Sequence, residues 1–167
     1  MNSNLLFDFS VDKDNKAIRV KREFDASLGV VWDAWTKAEL LDQWWAPKPF
    51  VAKTKSMDFR DGGTWLYAMV GPENVEHWCR ADFKNIQQQK TYSALDAFCD
   101  QDGNVNDSFP RSNWQNDFAQ TGDTTTVDIT VSYSDLSGLE KILEMGFQEG
   151  FTAGLGNLDE LLKQQSK

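Results

Sequence analysis

The chain has 167 residues, 40% of them hydrophobic and 13% aromatic, with a formal net charge of -9. That length and aromatic content predict one domain over residues 1–167 with a packed core, not a disordered chain. The acidic balance repels phosphate backbones and anionic headgroups, so neither nucleic acid nor a membrane is expected as a partner. No basic leader and no membrane-length apolar run is visible, and two cysteines make no disulfide framework, so a cytoplasmic protein with reduced thiols is expected.

In chain order, Phe7, Phe9 and Val11 alternate, and after a polar turn residues 17–24 alternate again, which predicts a hairpin. Four tryptophans follow within fourteen residues, Trp32, Trp35, Trp44 and Trp45. Val31, Trp32 and Trp35 share one helical face, and Leu40, Leu41, Trp44 and Trp45 repeat the pattern in a second short helix. Thr36 and Glu39 read as a capping box for that second helix, Pro47 and Pro49 as its stop, and Asp25 or Ser27 as a cap for the first. Strands are predicted at 51–59, 64–70, 75–86, 91–99, 112–120 and 124–133, with Gly62-Gly63 and polar turns between them. From Leu136 the apolar period becomes helical through Leu139, Leu143, Phe147, Phe151, Leu155, Leu158 and Leu162, which predicts one long amphipathic helix to about residue 164. Ser134, Asp135 and Ser137 offer it a cap. Strands joined in order by short turns pair antiparallel and need one face covered. The long helix must cover it, with the tryptophan helices at one end, giving an α+β fold.

Alternation also assigns faces. The turn at 71–74 pairs Trp65, Tyr67 and Met69 with Ala81, Cys79 and His77. An even register at the next turn adds Leu95, Ala97 and Cys99 to that face and sends Asp96 to the other, with Trp78, Arg80, Asp82 and Lys84. The first set carries far less charge and should face inward, together with Trp114, Phe118, Val127, Ile129 and Val131. An odd register would flip one strand against its neighbours.

Phe24, Asp25 and Ala26, the run from Val31 to Thr36, Leu41 and the run from Trp44 to Pro47 resemble the opening of the SRPBCC (START-like, birch-pollen-allergen-like) superfamily. The matching branch is named for the homologue of the activator of the heat shock protein 90 ATPase. The segment from Asp58 to Trp65 resembles its Gly-Gly strand, and Gly146 to Phe151 with Leu158 to Leu162 its closing helix. Residues 17–83 and 136–164 carry the likeness, 84–135 less so, and 1–16 look like an added strand segment. Ser27 and Ala38 stand where the family often has proline. The resemblance implies a helix-grip architecture, a curved antiparallel sheet around the C-terminal helix, with a cavity for a hydrophobic small molecule between them.

Combined with the assigned faces, it makes Trp65, Tyr67, Met69, His77, Cys79, Leu95, Cys99, Trp114, Phe118 and Ile129 the sheet-side candidates for the cavity wall. Phe147, Gly150, Phe151 and Gly154 are the helix-side candidates. Gly146, Gly150 and Gly154 stand four apart, each costing about 1 kcal/mol against alanine inside a helix, and close packing is the commoner reason for such a stripe. His77, Cys79 and Cys99 could meet as zinc ligands or an activated thiol, but their spacing matches no metal motif, and no metal or cofactor is expected. Tyr67 and Tyr92 offer phenols, and Asp58 and Arg60 charges, yet no carboxylate pair falls on the inward face, Glu76, Asp82 and Asp96 all alternating outward, which leaves an enzyme without a base. The favoured reading is a module binding a hydrophobic or aromatic ligand. A cyclase- or hydrolase-type enzyme in the same cavity comes second. Chaperone ATPase co-regulation comes last, because the eukaryotic activators use a further N-terminal domain. A homodimer is left open.

Overall fold

The computed structural model describes residues 5–165. Strand β1 (Phe7–Asp12) turns where the Asn15 backbone N–H and side-chain amide donate to the Asp12 carboxylate, at 3.2 and 2.7 Å, and returns as β2 (Ala17–Phe24). Helices α1 (Leu28–Thr36) and α2 (Ala38–Trp44) follow. Then come β3 (Val51–Met57), β4 (Thr64–Val70), β5 (Glu76–Gln87), β6 (Thr91–Phe98), β7 (Ser112–Thr121) and β8 (Thr124–Tyr133). Helices α3 (Leu136–Glu144) and α4 (Phe147–Gln165) close the chain. All eight strands form one antiparallel sheet in the order β1-β2-β8-β7-β6-β5-β4-β3. It curves around α4 in an α+β helix-grip fold, as the strand pattern requires. Among the described residues no helix is long and apolar enough to cross a membrane.

The tryptophan helices close one end. Trp32, Trp35 and Trp44 are almost wholly buried, and each withdraws enough apolar surface to supply about 4–6 kcal/mol of transfer free energy as an upper bound. Polar contacts fix their orientation. The Trp44 indole donates to the Ala34 carbonyl at 2.9 Å, and Asn157 of α4 donates to the Ala46 carbonyl at 3.0 Å. Arg22 projects from β2 toward α4, where it pairs with Asp159 and lies between the rings of Phe7 and Phe24.

Three local expectations are corrected. The capping box does not form: Thr36 ends α1, its hydroxyl donates to the Trp32 carbonyl at 2.8 Å, and Lys37 takes the N-cap place of α2 without a side-chain bond. Ser27 does precede α1, but it is the Gln120 side chain that accepts from the Leu28 N–H, at 2.9 Å. The long terminal helix is two helices, because Gly146 adopts φ of 92° and breaks the hydrogen-bond ladder after Met145. Asp135 caps α3 through the Gly138 N–H at 2.8 Å.

A further correction decides the site. β4 and β5 pair as expected, with Tyr67 opposite Cys79 and Met69 opposite His77. Between β5 and β6, however, a bulge falls between Lys84 and Gln87, where Asn85 has φ of 56°. Beyond it the register is odd: Cys79 faces Phe98, Ala81 faces Asp96 and Phe83 faces Ala94. Leu95, Ala97 and Cys99 therefore project to the convex side, and Asp96 projects inward.

Candidate functional site

A cavity of about 250 Å³ lies between the concave sheet face and the helices. The sheet supplies Tyr67 and Met69 from β4, Cys79 from β5, Asp96 and Phe98 from β6, Ser112 and Trp114 from β7, and Tyr133 from β8. Opposite stand Ile142 of α3 and Phe147, Gly150 and Phe151 of α4. Trp45 and Pro47, just past α2, close one side. Exposure sorts this lining by depth. Tyr67, Cys79, Ser112, Trp114 and Phe151 are buried, whereas Met145 is 51% exposed and Pro47, Phe98, Pro110 and Phe147 are half-buried. The mouth therefore lies at the α3–α4 junction and the floor on the central strands.

Aromatic rings make most of the wall. Trp45 meets Trp65, Trp114 and Phe151 at centroid distances of 5.6, 5.7 and 6.2 Å, and Trp114 meets Phe147 and Phe151 at 5.9 and 5.4 Å. These contacts are tilted or edge-on, while Phe147 and Phe151 stack on each other at 5.4 Å. Gly150 keeps the helix side open, since a Cβ there would stand 3.7 Å from Pro47 in ordinary contact. Gly154 serves close packing: its Cβ would lie 3.2 Å from the Trp45 carbonyl and 3.4 Å from that of Trp44. The glycine stripe thus has three separate causes, a helix break, a cavity wall and a helix contact.

The floor is polar and organised around Asp96. Its carboxylate accepts from the Ser112 N–H at 3.1 Å, from the Ser112 hydroxyl, and from the Trp114 indole at 3.1 Å. Tyr133 is hydrogen bonded to the same serine. Burial pushes the Asp96 carboxyl above the ordinary carboxylate range, outweighing the bonds from Ser112 and Trp114. Nearby, the Trp45 indole donates to the Tyr67 hydroxyl at 2.9 Å. Burial raises the Tyr67 phenol well above its usual value and pushes the Cys79 thiol up to about 12, so neither ionises at neutral pH. Behind the floor is a void of about 30 Å³, shared by Trp65, Tyr92, Asp96 and Asn116, among others.

Of the residues expected at the cavity, Tyr67, Met69, Cys79, Trp114, Phe147, Gly150 and Phe151 line it. Trp65 sits one layer back, stacked on Tyr67 at 3.9 Å. Phe118 packs into the core against Trp32 at 4.9 Å, and Ile129 is fully buried there. Leu95 and Cys99 lie on the convex side for the register reason given above. His77 is exposed at the end of β5, its ring 5.8 Å from Phe50. His77, Cys79 and Cys99 therefore point to three different environments, and among the described residues no cluster with metal-ligand composition forms. Asp96, Ser112, Tyr133 and Trp45 were missed. The signal for Asp96 was a parity change: apolar positions run Ala81, Phe83, then Ile86, which marks an inserted residue in β5.

A curved antiparallel sheet gripping a terminal helix over an aromatic cavity defines a START-like helix-grip protein of the SRPBCC type. The family model described as Activator of Hsp90 ATPase homolog 1-like protein matches residues 25–163, and the chain belongs to that family. A crystal structure of a Mycobacterium smegmatis protein is similar, with a TM-score of 0.86 and 26% identity over 95% of this chain and 96% of that one. A solution structure of a Staphylococcus epidermidis protein has a TM-score of 0.82 at 26% identity, covering 93% of this chain and 94% of its own. An Arthrobacter aurescens protein shares the fold at a TM-score of 0.89 and 24% identity, over 94% and 91% of the two chains. No curated protein matches.

Proposed function

We propose that this protein binds a hydrophobic or aromatic small molecule in the cavity beneath α4, and that it works in the cytoplasm. The observation that carries the binding reading is the cavity itself, about 250 Å³ of space walled by Trp45, Trp114, Phe147 and Phe151. An apolar cavity of about 150 Å³ already takes benzene, so this one has room for a ligand of one or two rings. Apolar burial would supply the affinity at about 25 cal/mol per Å², and the Asp96 floor would orient the bound molecule. The cytoplasmic reading is supported by the two free cysteines, which lie on opposite sheet faces and cannot pair with each other.

Titration with a neutral fluorescent probe, phenyl-naphthylamine, tests the binding reading. Saturable binding of one probe per chain is expected, and Gly150→Leu, which projects into the cavity, should abolish it. Absence of saturable binding to the unmodified protein would contradict the reading. One observation favours a second reading, a cyclase- or hydrolase-type enzyme: Asp96 gives the cavity a carboxyl group with a raised pKa, the property of a general acid–base residue. A covalent version has no support from Cys79, whose thiol is held protonated by burial.

A further inference from the structure

The binding reading leaves the chemical class of the ligand open, and the cavity's polar groups narrow it. Among the described residues that line the cavity, Asp96 alone carries a formal charge, and none is Lys, Arg or His. A carboxylate offers about four acceptor positions. Ser112 occupies two on Oδ1 and the Trp114 indole one on Oδ2, which leaves one on Oδ2 without a donor. Asp96 therefore keeps one acceptor position for a donor supplied from outside the chain. The donors of Ser112 and Trp114 are directed at Asp96, and the Trp45 indole at Tyr67. The Tyr67 hydroxyl is also bonded to Cys79, and that of Tyr133 to Ser112. The same cavity is walled by Trp45, Trp114, Phe147 and Phe151, aromatic side chains whose quadrupoles favour a cation.

Resting on the binding reading, we infer that the ligand is an amine: an aromatic or lipophilic body carrying a basic nitrogen, which sits as an ammonium against Asp96. Whichever partner holds the proton on entry, one proton is shared out so that the bound pair is ammonium and carboxylate. An acid ligand would place two carboxylates together, and a neutral alcohol would bring no charge to meet that of Asp96.

Three probes of one shape decide this: naphthylmethylamine, naphthylmethanol and naphthoic acid, titrated by calorimetry at about 0.5 M salt so that the chain's surface charge is screened. The amine should bind at least tenfold tighter than the alcohol, and the acid weakest. In Asp96→Asn the amine should fall to the affinity of the alcohol. Equal binding of amine and alcohol, or tighter binding of the acid, would overturn the inference while leaving the binding reading intact. If none of the three binds, both readings fail. Should Asp96→Asn not fold, the ranking on the unmodified protein decides the matter alone.

Discussion

Asp96 shows how much one side chain can depend on a distant backbone detail. Its neighbours Leu95 and Ala97 are the apolar residues of that stretch, so alternation alone sends the carboxylate outward. The bulge at Asn85 reverses this and delivers the carboxyl to the cavity floor, where Ser112 and Trp114 receive it. The consequence is measurable. Because burial raises the Asp96 carboxyl, the folded chain keeps its proton to a higher pH than the unfolded chain does. Its contribution to stability is then full below the ordinary carboxylate pKa of about 4 and is lost as pH rises through the raised folded value. Urea unfolding of the parent and Asp96→Asn from about pH 3.5 to about pH 8 isolates the effect. The stability difference should move steadily in favour of the variant as pH climbs, then level off. A difference independent of pH would mean that Asp96 ionises as it does in water.

At the scale of elements, α4 illustrates what spacing reveals and what it hides. The four-residue interval of Gly146, Gly150 and Gly154 is plain in the sequence, but the reason for each glycine lies in a different neighbour. Gly150→Ala should gain about 1 kcal/mol from helix propensity, because its Cβ meets Pro47 at an ordinary 3.7 Å. For a chain of this size that is roughly 2–4 °C in Tm. Gly154→Ala should show no gain or a loss, since its Cβ presses on two backbone carbonyls of the α2 end that cannot rotate away. Thermal unfolding of both variants checks the contrast, and equal gains at the two positions would contradict it. The tryptophan helices were legible as elements from their apolar period. Their capping was not, because Gln120, which accepts from the Leu28 N–H, comes from another part of the chain. The break at Gly146 was hidden for a similar reason: the period through Leu143 and Phe147 continues across it.

Across the whole molecule, the succession of hairpin, two helices, six strands and a closing helical segment follows from hydrophobic period and turn residues. The pairing of β2 with β8, which joins the first hairpin to the last strand, comes from the tertiary structure. So does the depth order of the cavity, from exposed Met145 at the mouth to buried Trp114 on the floor. That order makes the indole N–H signals of the seven tryptophans a depth gauge for any bound molecule. Trp45 and Trp114 line the cavity, Trp32 lies in the core, and Trp78 sits half-buried on the convex face. A nitrogen–proton NMR titration with neutral phenyl-naphthylamine is the most direct measurement of the central claim. The account predicts that the Trp45 and Trp114 indole signals shift and saturate at one equivalent, while those of Trp32 and Trp78 hold still. No shift at Trp45 and Trp114, or a shift confined to Trp78, would place the molecule outside the cavity and contradict the account.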